Sequence, residues 1–226
     1  MVARLREKPA SASPAAPPPA DYYTQARSDL TERLPRPLGD VLDVGCGAGG
    51  VGRHLRREPG ERLVGIELNP AQAALAADHY DDVVVGPVPD ALDHVRGRFR
   101  TVLCYDVLEH LADPALLLRR LAADATEPDA VLHVSVPNAR HASLMRDLVF
   151  RGTFGYRPSG HRDTTHLRWF TRTDIVELLE SNGWRVTDVR SPQLKPAYEA
   201  AAKLTRGFAR EFLTIQWHVL TRRAPG

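Results

Sequence analysis

The chain has only two cysteines in 226 residues, Cys46 and Cys104, too few for a disulfide framework. No apolar stretch of the signal-peptide kind follows its amino terminus, and no run approaches the roughly 18 apolar residues that a spanning helix needs. These absences exclude a disulfide-rich secreted scaffold and an integral membrane protein, and they make the reducing cytoplasm the expected compartment. A surplus of one charge is also missing. Thirty basic against 28 acidic residues leave a formal charge of +2, so no global field favours nucleic acid or anionic lipid as a partner. What is present is a globular composition, 43% apolar, at a length that suits one α/β domain.

Residues 1–20 are rich in Pro, Ala and Ser, with almost nothing large and apolar after Leu5, and read as a disordered tail ahead of a single domain over 21–226. Tyr22, Tyr23, Ala26, Leu30 and Leu34 recur at helical spacing until Pro35 and Pro37 stop the pattern, which predicts a short leading helix. Strand and helix signals then alternate: strand 41–44, helix to 57, strand 63–66, helix 70–80, strand 83–85, strand 101–105, helix 114–123, strand 131–136. Alternation of this kind implies an α/β fold with a mostly parallel sheet covered by helices on both faces. The last third predicts a helix over 139–150, an irregular stretch, and a helix over 174–180 capped by Thr173 and ended by Asn182-Gly183. Two strands at 184–189 and 212–220 are close enough in sequence to form an antiparallel pair at the sheet edge.

The first strand runs into Asp43-Val44-Gly45-Cys46-Gly47-Ala48-Gly49-Gly50, glycines placed where a chain must turn sharply and let a ligand approach the backbone. Gly45, Gly47 and Gly50 satisfy G-x-G-x-x-G, so the loop alone does not separate NAD from other adenosine-containing cofactors. Glu67, after the second strand, can accept hydrogen bonds from both hydroxyls of a ribose lying across the strand tips.

Val41-Leu42-Asp43-Val44-Gly45-Cys46-Gly47-Ala48-Gly49, Val64-Gly65-Ile66-Glu67 and Asp106-Val107-Leu108-Glu109-His110-Leu111 with Asp113-Pro114 resemble motifs of class I S-adenosylmethionine-dependent methyltransferases. The resemblance implies a Rossmann-like, seven-stranded sheet with an antiparallel edge pair. It also implies S-adenosylmethionine as cofactor, held by Asp43, Gly45, Gly47 and Gly49, by Glu67 at the ribose, and by Tyr105 and Asp106 at the fourth strand. Where many members of that family have Gly-Asp after strand three, this chain has Gly86-Pro87, which leaves the adenine contact to backbone or to Asp90. The Asp106 to Leu111 sequence favours methyl transfer over the hydride transfer of an NAD-dependent oxidoreductase.

Methyl transfer is an in-line displacement in which alignment supplies much of the rate, and a hydroxyl or amine acceptor needs a base. The candidates are His110 and His166 as catalytic bases, with His141, Tyr156, His161, Asp163 and Arg168 at the acceptor, in a lid over about 138–171. Asp163, His166, Arg168, Phe170 and Thr171 match the D-x-x-H-L-R-F-F-T segment of a bacterial methyltransferase subgroup associated with sugar, cell-surface or natural-product pathways, with Trp169 for the first Phe. The likeness extends distantly to the methionine-biosynthesis protein W, so a cofactor-binding partner subunit without turnover is the alternative reading. Arg140, Arg146, Arg151, Arg157, Arg162 and Arg168, with Phe154, Tyr156 and Trp169, suit an anionic or sugar-nucleotide-like small-molecule acceptor. His161, Asp163 and His166 are of metal-ligand type, but no fourth ligand is evident and methyl transfer needs no metal, so no metal is expected.

Overall fold

The computed structural model describes residues 28–32, 34–55, 57–158, 160–191 and 196–225. The expected tail over 1–20, and Tyr22, Tyr23 and Ala26 of the leading helix, lie outside the described residues; from that helix α1 (Ser28–Thr31) is seen. The elements that follow are β1 (Val41–Val44), α2 (Gly50–His54), β2 (Leu63–Glu67), α3 (Pro70–Ala76), β3 (Asp82–Val85), β4 (Phe99–Tyr105), α4 (Pro114–Arg120) and β5 (Thr126–Pro137). Then come α5 (Ala142–Arg151), α6 (Arg172–Glu180), β6 (Trp184–Arg190), α7 (Pro196–Leu204), α8 (Phe208–Leu213) and β7 (Gln216–Arg223).

Seven strands form one sheet in the order β3-β2-β1-β4-β5-β7-β6. β1 to β5 pair in parallel, and β7 runs antiparallel between β5 and β6. All four residues of β1 are buried, as a strand covered on both faces requires. Leu42 and Val44 face a core with Ile66, Phe99, Val102, Leu117 and Trp184, while Val41 faces a second core with Leu30, Leu34, Leu38, Leu63 and Leu103. No described helix is long and apolar enough to cross a membrane.

Several expected boundaries move, each for a local reason. The 70–80 helix stops at Ala76, and a turn delivers Tyr80 to Asp43. The 114–123 helix ends at Arg120 in a wide π turn over Leu121–Ala125, and β5 starts at Thr126, whose hydroxyl donates to the Leu121 carbonyl at 2.9 Å. The helix expected from 139 begins at Ala142, because Asn138 holds a turn: its Oδ1 accepts from Arg140 N at 3.0 Å and its carbonyl from His141 N at 3.1 Å. The strand expected over 212–220 starts only at Gln216. Phe212 lies in the last turn of α8 instead, its ring 5.3 Å from that of Phe208 and covered by the Arg140 guanidinium.

The cap of α6 is Thr171, two residues earlier than expected. Its hydroxyl accepts from Asp174 N at 3.3 Å and Asp174 Oδ2 accepts from Thr171 N at 2.9 Å, a reciprocal capping box. Thr173 is exposed in the first turn and caps nothing. Thr171→Ala is therefore expected to cost about 1 kcal/mol in denaturant unfolding, and Thr173→Ala to stay within about 0.5 kcal/mol of the parent. Equal losses from both would refute the cap assignment.

Candidate functional site

β1 lies between β2 and β4, so the chain leaves the sheet to opposite sides at neighbouring strand tips and opens a crevice beyond the carboxyl ends of the strands. The glycine loop enters it. Gly45, Gly47 and Gly49 all sit at positive φ, and a Cβ at Gly45 would stand 2.6 Å from Val107 Cγ2. Gly45 N and Cys46 N both donate to the Ile66 carbonyl at 2.8 and 3.0 Å, which presses the loop onto the β2 tip. Glu67 then closes the turn: Oε2 accepts from Gly47 N at 2.9 Å and Oε1 from Asn69 N at 2.8 Å. A carboxylate has about four acceptor positions, so one on each oxygen is left over from these two bonds. Leu68, next in the chain, is 67% exposed and offers apolar surface beside that carboxylate.

Asp43 sits beneath the loop, buried, and accepts from the Tyr80 hydroxyl at 2.5 Å; that hydroxyl in turn accepts from Gly52 N at 3.1 Å. Burial pushes the Asp43 carboxyl up to about 7 against the opposing pull of the Tyr80 bond, and the same burial pushes the Tyr80 hydroxyl up. Asp43 thus holds loop and helix to the sheet from below. Asp90 is exposed at the start of a 3₁₀ turn, Asp90–His94, reached from the β3 tip through Gly86 and Pro87.

At the β4 tip the Tyr105 hydroxyl lies 3.1 Å from His133 Nδ1, with the ring buried. Asp106 adopts φ +56, uncommon for a residue with a side chain, and its N–H donates to the Ser135 carbonyl at 3.1 Å. Asp106 Oδ1 accepts from Ser135 Oγ at 3.3 Å and from Gln216 Nε2. Gln216 was not singled out from the sequence: it lies 110 residues from Asp106, and only β7's place beside β5 brings the two together.

Three hydrogen bonds tie the 138–171 segment to this tip. The buried Glu109 accepts with its backbone carbonyl from Leu167 N at 2.7 Å and Arg168 N at 3.0 Å, and Arg168 Nη2 donates to the Ala112 carbonyl. The two ends of the segment meet as well, Ala139 N donating to the Phe170 carbonyl at 2.9 Å. His110 and His166 consequently come together, ring centroids 4.8 Å apart and edge to face. His110 Nδ1 lies 3.3 Å from the Thr165 carbonyl and His166 Nδ1 lies 3.3 Å from the His161 carbonyl. A carbonyl only accepts, so each Nδ1 carries a proton, and in the neutral form of each ring the lone pair lies on Nε2. Burial first, then the neighbouring His110, holds His166 below the 6.5 of free histidine.

The other expected acceptor residues divide. His141 and His161 stack at 4.9 Å, both held below the ordinary histidine value mainly by burial, with His161 Nε2 donating to the Ile215 carbonyl at 2.9 Å. Asp163 turns its Oδ1 to Thr165, accepting from the N–H at 2.8 Å and the hydroxyl at 2.7 Å, and so pins the loop. Tyr156 is exposed in a cluster with Phe154 and Trp169, and Trp169 Nε1 is buried without a hydrogen-bond partner among the described residues. The metal-type set weighed from the sequence does not gather, since Asp163 faces Thr165. Glu109, His110 and His166 do bring one ligand atom each within 4.8 Å of the others, a set that could hold a cation.

The model of a family described as "Methyltransferase domain" matches residues 20–189. The ubiquinone biosynthesis O-methyltransferase of Xanthomonas euvesicatoria is 33% identical over 175 residues, covering 74% of this chain and 71% of that protein. The enzyme of the same name from Azorhizobium caulinodans is 35% identical over 104 residues, 43% of this chain and 40% of that one, and the match to the Xylella fastidiosa protein spans 50% of its length. The chain thus spans about half the length of several curated relatives it matches. A solved S-adenosylmethionine-dependent methyltransferase from Archaeoglobus fulgidus superposes with TM-score 0.61 at 16% identity, over 90% of this chain and 97% of that one. The chain belongs to the methyltransferase domain family, and its sheet is the Rossmann-like one of the class I S-adenosylmethionine-dependent methyltransferases.

Proposed function

We propose that the protein binds S-adenosylmethionine across the β1 and β2 tips and moves its methyl group to an oxygen or nitrogen of a small-molecule acceptor held under the 138–171 lid. The observation that carries this reading is the placement of Glu67 on one side of β1 and the His110–His166 pair on the other. The residues fit the cofactor: Glu67 retains an acceptor position on each oxygen for the two ribose hydroxyls, and the exposed Leu68 provides apolar surface for a purine. When bound, the cofactor supplies an electrophilic methyl on a sulfonium. The relatives' names as O-methyltransferases favour oxygen as the acceptor atom.

The chain's part is alignment and proton removal. His110 or His166, in the neutral form whose lone pair lies on Nε2, takes the acceptor's proton as the new bond forms, while the lid, fastened through the Glu109 carbonyl, keeps water from the reacting atoms. His141, His161 and Tyr156 line the acceptor side in this reading. A sugar, cell-surface or natural-product intermediate is the acceptor class to try first.

Glu67→Gln is expected to weaken S-adenosylmethionine binding about tenfold or more by calorimetry, because the amide turns a donor toward Gly47 N or Asn69 N and offers the ribose fewer acceptors. Unchanged affinity in the folded variant would remove the ribose assignment. For the base, S-adenosylhomocysteine release with a competent acceptor is the measure. His166→Ala should lower kcat by about 10²-fold while cofactor affinity stays within about threefold. A base must be neutral, so activity rises with pH through its pKa; with His166 held below 6.5, the parent should lose half its rate only at a pH below that value. An acidic limb centred above pH 6.5 would exclude His166 as the base.

A further inference from the structure

Within the 138–171 segment, Asp147 of α5 is surrounded by four arginines. Its Oδ1 accepts from Arg146 Nε at 3.2 Å, Arg146 Nη2 at 3.1 Å and Arg151 Nη1 at 3.3 Å. Its Oδ2 accepts from Arg162 Nη2 at 2.8 Å, with Arg157 Nη2 at 3.9 Å. Among the described residues no second carboxylate pairs with any of the four, so the cluster carries three positive charges in excess. Hydrogen bonding to these guanidiniums holds the Asp147 carboxyl below its usual range, so the acid stays ionised and the arginines stay gathered.

A cavity of about 210 Å³ opens against this cluster, lined by Arg146, Arg157, Arg162, Ser143 and His161 together with Asp147. Its floor is built: Arg162 is buried, and the loop bearing Arg157 and Arg162 is clasped by Arg157 N to the Arg162 carbonyl at 2.7 Å and Thr164 N to the Arg157 carbonyl at 3.1 Å. Arg157, with its side chain 62% exposed, meets Asp147 only at 3.9 Å and has most of its donors to offer. The cavity also adjoins the histidines of the proposed reaction, since His161 lines it and its carbonyl receives His166 Nδ1.

We propose that this cavity binds a phosphate group of the methyl acceptor through Arg146, Arg157 and Arg162, which makes the acceptor a phosphorylated small molecule whose methylated atom lies toward His110 and His166. The second half of the statement rests on the methyltransferase reading above. Three guanidiniums converging from a helix and a loop match an anion with three oxygens and nearly two charges better than a planar monoanion.

Calorimetry on the full chain tests it with inorganic phosphate, glucose 6-phosphate, glucuronate and glucose as probes, and with S-adenosylmethionine in a parallel titration. Phosphate and glucose 6-phosphate should bind, glucuronate more weakly, and glucose not at all. Arg157→Gln and Arg146→Gln, which leave Arg162 on Asp147, should each weaken phosphate about tenfold and leave S-adenosylmethionine within about twofold. No phosphate binding by the parent chain, unchanged binding in both variants, or glucuronate equal to glucose 6-phosphate would overturn the site. Phosphate binding without any S-adenosylmethionine binding would instead overturn the methyltransferase reading and the assignment of this phosphate to a methyl acceptor.

Discussion

Four residues, Val41–Val44, constrain the rest of the molecule. β1 is paired in parallel on both sides and buried on both faces, so neither edge nor face is left for a ligand. Only its carboxyl end is open, and there the polypeptide must turn at once, because Gly45 and Cys46 are already bonded to the Ile66 carbonyl. The glycines are demanded first by this packing. Gly45 passes Val107 at a distance no Cβ tolerates, and Gly65 and Gly52 leave room for Cys46 and the Tyr80 ring.

The 138–171 segment depends on a different set of bonds, those of backbone carbonyls. Glu109 receives two N–H groups from the lid, Ala112 receives Arg168, Ile215 receives His161, and Thr165 and His161 receive the two catalytic candidates. Side chains of the D-x-x-H-L-R segment therefore serve largely to fasten the loop they belong to, and the imidazoles take a proton on Nδ1 as a consequence of being fastened. One set of bonds both places the histidines and fixes a proton on each Nδ1.

Charge is distributed so that the two halves of the site differ. Around Asp43 the protein withdraws water and raises an acid toward neutrality, which suits a structural carboxyl under a loop. Around Asp147 it gathers guanidiniums in excess of the one carboxylate present and leaves them facing a cavity. A net charge of +2 for the whole chain conceals this local concentration.

Strand, loop and helix alternation, the glycine turn, Glu67 at the second strand tip and the antiparallel edge pair were all legible in the amino-acid sequence, because each rests on local pattern: apolar runs, glycine, proline and a carboxylate at a fixed offset. Boundaries were less legible where a distant partner overrode propensity, as when Asp43 drew Tyr80 out of a helical pattern or Asn138 held a turn ahead of α5. Thr171 and Thr173 are alike in sequence, and only the Asp174 carboxylate reaching back chooses between them. The pairing of Gln216 with Asp106, of His110 with His166, and of Arg157 and Arg162 with Asp147 has no sequence signature, since it depends on where β7 and the loop of the 138–171 segment lie. Local chemistry along the chain determined which elements form and which polar residues stand at their ends; closure of the sheet and the docking of the 138–171 segment decided which of them meet, because contacts between distant residues are set by packing and not by spacing.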